Sequence, residues 1–141
     1  MFVLDTDHIV VIQRQTQPEY SRLLQRMARH PITDFYFTVI SFHEQALGAN
    51  TYVSRARTWA EVARGYSMFE QILRDFAAAQ VLSFDGVPAQ LFDQLRAKRV
   101  RIPTMDLRIA SVDLANRMTV LTRNLRDFQQ VPGLPVEDWT M

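Results

Sequence analysis

Cysteine is absent from the sequence, so a disulfide framework and a thiolate metal site are both excluded. No apolar run approaches the roughly 20 residues that a membrane-crossing helix needs. The opening residues Met1-Phe-Val-Leu-Asp5 lack the basic stretch and cleavage pattern of a secretory leader. A soluble cytoplasmic protein without membrane contact is the expectation. Low-complexity runs, internal repeats and linker-like stretches are missing too, and an apolar fraction of 48% argues against disorder. Charge excess is almost absent at a net +1, so the totals do not announce a nucleic-acid binder. Lysine is reduced to Lys98, leaving fifteen arginines. A guanidinium suits phosphate and carboxylate recognition, although a GC-rich coding bias produces the same count. What is there is 141 residues, enough for one domain with a real core and too few for two. That domain is expected to span 1–141.

Phe2 to Leu4 is a short apolar run ending on Asp5 and reads as a buried first strand. His8 to Gln15 reads as a helix. Pro18 is placed to open another, running to about His30 with Tyr20, Leu23, Leu24 and Met27 on one face. Phe35-Tyr-Phe-Thr-Val-Ile40 is the strongest strand signal, and Ser41 can cap a helix that begins through Glu44. Tyr52 to Ala79 reads as one or two helices with a break at Gly65. There Met68, Phe69, Ile72, Leu73 and Phe76 repeat at helical spacing, which assigns them to core or helix–helix contact. Gln80-Val-Leu-Ser-Phe84 is a third strand. Asp85 can cap the next helix, with Leu91, Phe92 and Leu95 inward. Thr104 starts a further helix, Thr119-Val-Leu-Thr122 is a fourth strand, and the tail from Gly133 to Trp139 holds a short fifth at most. Strands alternating with helices predict an α/β fold, a three-layer α/β/α sandwich around a parallel sheet of four to five strands.

In such a sheet, ligands bind beyond the carboxyl ends of the strands. Asp5 and Asp7 follow the first strand, Glu44 the second, and Asn124 and Asp127 the fourth; Asp106 opens a helix that faces the same edge. Carboxylates gathered from separate segments repel one another, and a hard divalent cation with oxygen ligands, Mg²⁺ or Mn²⁺, removes the conflict. Each acid also has a purely structural reading. Ser41-Phe-His-Glu44 has capping-box spacing. Asp106 can merely favour the helix dipole, and Asp7 and Asp85 can be helix caps. Asp113, about two turns beyond Asp106, shares its face but lies deep. His8, His30 and His43 have no metal-ligand spacing.

At these residues the chain resembles a known family. Phe2-Val-Leu-Asp5-Thr-Asp-His8 resembles the opening of PIN domains. Thr38-Val-Ile-Ser-Phe-His-Glu44 is similar to that family's second-strand glutamate segment, and Pro103-Thr-Met-Asp106 to its third acidic motif. Val120-Leu-Thr122-Arg-Asn124-Leu-Arg-Asp127-Phe128, followed by Val131-Pro-Gly-Leu134 and Glu137-Asp138-Trp139, resembles the VapC end of the family. The likeness spans nearly the whole chain, in order. It implies a PIN-like sandwich, Mg²⁺ or Mn²⁺, and RNA cleavage by the toxin half of a toxin–antitoxin pair. A small antitoxin partner and a homodimer are implied as well.

Carried over by position, Asp5, Glu44 and Asp106 match the three core acids. The fourth place departs from the common form, because many members carry aspartate where this chain has Asn124. An amide oxygen can ligate Mg²⁺ but brings no charge, and Asp127 can supply the missing carboxylate. The implied metal set is Asp5, Asp106 and Asn124; the implied catalytic set is Asp5, Glu44, Asp106 and Asp127. Thr122 is expected to orient the shell. Arg99, Arg101, Arg108, Arg123 and Arg126 lie near the predicted edge, with Arg108, Arg123 and Arg126 carried forward as RNA-binding candidates.

Two rival readings stand beside this one. Asp5-Thr-Asp7 also resembles the start of haloacid-dehalogenase-like phosphatases, where the first aspartate attacks phosphorus. That chemistry needs a placed lysine and a later acidic pair, and Lys98 is the only lysine. A catalytically silent binding module is the other. RNA cleavage, phosphate-ester hydrolysis and neither are the outcomes that separate the three.

Overall fold

The computed structural model describes all residues, Met1–Met141. Five strands form one sheet: β1 (Phe2–Leu4), β2 (Phe35–Thr38), β3 (Val81–Leu82), β4 (Thr119–Leu121) and β5 (Val136–Glu137). Their spatial order is β3-β2-β1-β4-β5, and every pairing is parallel. The helices are α1 (Thr6–Arg14), α2 (Glu19–Met27), α3 (Val39–Arg55), α4 (Trp59–Ala78), α5 (Gly86–Ala97), α6 (Thr104–Ala115) and α7 (Leu125–Phe128). None is long and apolar enough to cross a membrane.

Helices cover both faces of the sheet, as the strand–helix alternation predicts. Leu4, Ile9, Leu23, Phe35, Ile72, Phe76 and Leu121 join one apolar cluster. Leu95, Leu107, Ile109, Ala110, Val120, Phe128 and Leu134 join the other. The neighbours Val120 and Leu121 fall in opposite clusters because side chains alternate across a strand. Each cluster is buried and contiguous, so burial on both sides fixes the register that brings the strand ends level.

Several boundaries differ from the expected ones, each for a local reason. β2 stops at Thr38, and Val39 and Ile40 are helical despite their β-branched side chains. The cause is Thr38 itself: its Oγ1 accepts from the Ser41 N–H at 3.1 Å, making it the N-cap of α3. Ser41 is therefore inside the helix and is not its cap. α1 begins at Thr6, ahead of the expected His8, because Asp5 caps it. Asp7 is thus not the cap, and the Asp85 side chain makes no capping bond to α5.

The long helical stretch breaks at 56–58, between α3 and α4, where Thr58 caps α4. It does not break at Gly65. That glycine is buried where α4 crosses α3, and a Cβ there would collide with Val53 and sit 3.2 Å from the Tyr52 ring. Ile72 and Phe76 are core, as expected, but Leu73 is 67% exposed and contributes nothing to it.

Candidate active site

β1 lies at the centre of the sheet, with β2 on one side and β4 on the other. The chain runs from β1 to β2 and β3 on one side and continues to β4 and β5 on the other, and such a reversal of strand order opens a crevice at the carboxyl edge. Asp5 stands at that point. Its backbone N–H donates to the Leu121 carbonyl at 2.9 Å, continuing the ladder with β4. Its side chain is held at both oxygens: Oδ1 accepts from the Thr6 N–H at 2.8 Å and Oδ2 from the Thr122 hydroxyl at 2.8 Å. Asp5 as a whole is 5% exposed.

Asp7 lies one step outward. Its Oδ2 accepts from the Arg123 N–H at 2.9 Å, with Thr122 Oγ1 3.2 Å away. Its Oδ1 faces Nδ1 of the buried His8 at 2.8 Å, and Nε2 of His8 accepts from the Trp139 N–H at 3.3 Å. This uses the imidazole with its proton on Nδ1. His8 thereby ties the chain's tail to the segment after β1.

Glu44 reaches the same crevice from the second turn of α3. Because Thr38 caps that helix, Ser41 occupies the third helical position and Glu44 has no capping task. Its Oε1 accepts from the Thr6 hydroxyl at 2.9 Å, and Ser41 Oγ lies 3.0 Å from that hydroxyl. Asp106 sits in the first turn of α6, whose N-cap Pro103 offers no side-chain cap. The Asn124 amide nitrogen bridges two carboxylates, donating to Asp127 Oδ2 at 2.9 Å and Asp106 Oδ2 at 3.3 Å. Its own backbone N–H donates to Thr122 Oγ1 at 3.0 Å.

Asp5, Asp7, Glu44, Asp106 and Asn124 line one open cavity of about 690 Å³. Asp127 stands behind Asn124 and does not line it. Burial first, and crowding second, raise the acids' proton affinity. Burial, then the neighbouring Asp7, pushes the Asp5 carboxyl up to about 8. Burial, then Glu44 and Asp127, pushes Asp106 up to about 6, opposed by the Asn124 hydrogen bond. Burial also raises Glu44, and the Thr6 hydrogen bond opposes it.

The donors are hard oxygens whose mutual repulsion a divalent cation would relieve. No three acids meet closely enough in this arrangement to enclose an ion. Mg²⁺ does not require that, since it keeps several waters and is commonly held by one or two carboxylates plus substrate phosphate. The chemistry of the donor set fits such an ion.

No family model matches the chain. It is 36% identical over 64 residues to the tRNA(fMet)-specific endonuclease VapC of Salmonella typhimurium. That alignment takes in 43% of this chain and 48% of the relative, so the match spans about half of the curated relative's length. Solved structures are similar over nearly the whole chain. DNA-bound VapBC from Salmonella typhimurium is 26% identical with a TM-score of 0.70, over 98% of this chain and 97% of that one. VapBC-1 from nontypeable Haemophilus influenzae has a TM-score of 0.75 at 20% identity, over 99% and 98%. The chain has the PIN-like three-layer α/β/α fold of these VapBC structures.

Within this PIN-like fold, Arg123 lines the acidic cavity, Arg126 is exposed on α7, and Arg108 lies half-buried on α6. The sequence reading missed three contributors. Thr6 links Asp5 to Glu44, Thr38 frees Glu44 from capping, and Arg14 of α1 lines the cavity mouth. Thr6 and Thr38 flank predicted strand ends, so cap preference was the available signal. For Arg14 there was none. Asp113 is wholly buried and neither of its oxygens has a hydrogen-bond partner.

Proposed function

We propose that residues 1–141 act as one PIN-like domain, a Mg²⁺- or Mn²⁺-dependent endoribonuclease that is the toxin half of a toxin–antitoxin pair. The observation that carries the reading is the convergence of Asp5, Glu44, Asp106 and Asn124, from four separate segments, on one cavity at the sheet's switch point. Proton affinities raised by burial, and then by neighbouring carboxylates, mark functional clusters. The likeness to an endonuclease and to VapBC complexes supports the same reading.

Asp5 and Asp106, with Asn124 at the edge, would hold the cation. When bound, the cation activates a water and stabilises charge on the phosphate. The chain's own residues set the rest. Thr122 and the Thr6 N–H keep Asp5 in one rotamer, so the ligand is pre-positioned. Glu44 is anchored through Oε1, which leaves Oε2 to orient the attacking water, and its raised proton affinity suits it to take that water's proton. Asp127 holds the Asn124 amide and adds charge behind the site. Arg108, Arg123 and Arg126 would grip the RNA backbone. Both Asp5 oxygens already accept hydrogen bonds, which suits a fixed ligand better than a nucleophile attacking phosphorus.

The test is cleavage of single-stranded RNA by the purified protein with Mg²⁺ or Mn²⁺, and again in excess EDTA. Phosphate-ester hydrolysis is run in parallel. Metal-dependent RNA cleavage that chelator stops is the expected result. Cleavage undiminished by EDTA, or phosphatase activity alone, overturns it. An adjacent reading frame for a small DNA-binding protein, and its co-purification with this chain, test the antitoxin. The oligomeric state in solution tests the homodimer.

A further inference from the structure

A second concavity opens beside the acidic one, between α5 and α6, with a volume of about 590 Å³. Its chemistry is the reverse of its neighbour's. Arg96, Arg99 and Arg101 line it together with Phe92, Thr104 and Leu107. None of these arginines, nor Arg108, forms an ion pair; the arginines that do are Arg26 and Arg74, elsewhere on the surface. The Phe92 ring collects two guanidinium groups from different helices: Arg96 Cζ lies 5.6 Å from its centroid and Arg108 Cζ 5.7 Å. Cations set over an aromatic face are held in position without being neutralised. The cleft therefore gathers three unpaired arginines, one of which, Arg96, is set over the Phe92 ring.

Its position relates it to the acids. Thr104 and Leu107 line the cleft, and Asp106 between them lines the acidic cavity. The two concavities thus open on different faces of the same first turn of α6. Pro103 lends no side-chain cap to α6, so the free N–H groups of that first turn add to the positive field.

Arg99 adds an independent observation. α5 ends in a Schellman motif, with the Arg99 N–H on the Arg96 carbonyl at 3.0 Å and the Val100 N–H on the Leu95 carbonyl at 3.1 Å. Arg99 is the left-handed residue of that motif, at φ 60°. Glycine fits there without a steric cost and arginine does not. The chain places a guanidinium at the cleft in a backbone conformation that disfavours it.

We propose that this cleft is an RNA backbone subsite, in which Arg96, Arg99 and Arg101 hold a phosphate of the strand continuing from the acidic centre. The inference rests on the ribonuclease reading for its ligand, but its binding does not depend on metal. The acidic cavity repels phosphate until a cation enters it; the arginine cleft attracts phosphate from the start. Strand binding by the cleft is therefore expected without metal.

The experiment measures binding of a short labelled single-stranded RNA in EDTA, across a salt series, by fluorescence anisotropy. Arg99→Gly is expected to bind roughly tenfold more weakly. The slope of log K against log salt should lose about 0.7 for the phosphate contact removed. The same variant should melt roughly 3 °C higher, because the left-handed position is relieved. Arg96→Gln with Arg101→Gln should weaken binding further.

Arg117 is the control. It sits at φ 55° after the far end of α6 and also closes a helix, so Arg117→Gly should raise the melting temperature and leave RNA binding unchanged. Wild-type affinity and salt slope in the Arg99 and Arg96/Arg101 variants would overturn the proposal and leave the cleft to a protein partner. Equal weakening by Arg117→Gly would overturn it as well, since the effect would then be overall charge. Metal-dependent cleavage by the unmodified protein reports separately on the ribonuclease reading. Loss of binding in Arg99→Gly without any cleavage by wild type would uphold the subsite and sink the nuclease.

Discussion

The Thr6 hydroxyl donates to Glu44 Oε1 at 2.9 Å, joining the first residue of α1 to a carboxylate 38 positions along the chain. The Thr6 backbone N–H meanwhile donates to Asp5. One residue thus fixes two acids, each by a different group. Glu44 owes its place to this bond and not to its own helix, whose cap is Thr38.

That arrangement separates activity from stability at Glu44. Glutamine keeps an oxygen for Thr6 to donate to, so Glu44→Gln should fold and melt like wild type. It loses the proton acceptor, and RNA cleavage is expected to fall on the order of 10²-fold or more. Single-turnover cleavage and a thermal melt on the same preparation check both halves. Near-wild-type cleavage would return Glu44 to a structural role.

The raised carboxyls give a pH dependence of stability with a definite sign. Asp5 is pushed up to about 8 and Asp106 to about 6, from an ordinary 3.8. Between those limits the folded protein binds more protons than the unfolded chain, so stability falls as pH rises. In EDTA the melting temperature should therefore drop from pH 5 to pH 8. Asp5→Asn should flatten that dependence, and Mg²⁺ at pH 8 should restore part of the loss by binding the folded state. A melting temperature that climbs steadily over this range in EDTA would contradict the crowded-acid description.

Asn124 donates to both Asp106 and Asp127. Asn124→Asp removes both donors and puts a third carboxylate between two others, so it should lower stability without metal and tighten Mn²⁺ binding. Asp127→Ala should weaken metal affinity and cleavage together, by roughly 10–100-fold, as removal of an outer partner does. Titrating Mn²⁺ while following cleavage of one RNA distinguishes the two variants. Wild-type behaviour of Asp127→Ala at every metal concentration would make it a bystander.

Asp113 is wholly buried with neither oxygen partnered, and burial, then Asp5, holds its carboxyl well above the usual range. An unsatisfied buried polar group costs about 1–3 kcal/mol. Asp113→Ala should raise stability in denaturant melts by an amount of that order and leave cleavage in place. A loss of stability would mean that the cavity created outweighs the relief.

The alternation of strands and helices and the acids at strand ends were legible in the chain itself. Both are local signals. A short apolar run stopped by aspartate marks a strand end wherever it occurs, and parallel packing then sends every such end to one edge. Asp5 is marked in that way, Glu44 and Asn124 by following the second and fourth strands, and Asp106 by opening a helix toward the same edge.

What each of them does there is not a local property. Ser41 and Thr38 are both good caps three residues from another candidate partner. Only the pairing of β2 with β1 and β3 decides which of them ends the strand, and so whether Glu44 is needed by its helix. The direction of the Asn124 amide depends on Asp106, 18 residues away in α6. The arginine cleft depends on α5 packing against α6, which brings Arg96 and Arg108 over one ring. Sequence carried the inventory through short-range periodicity and capping; tertiary structure assigned the roles, because hydrogen bonds and fields act across space between segments the chain keeps apart.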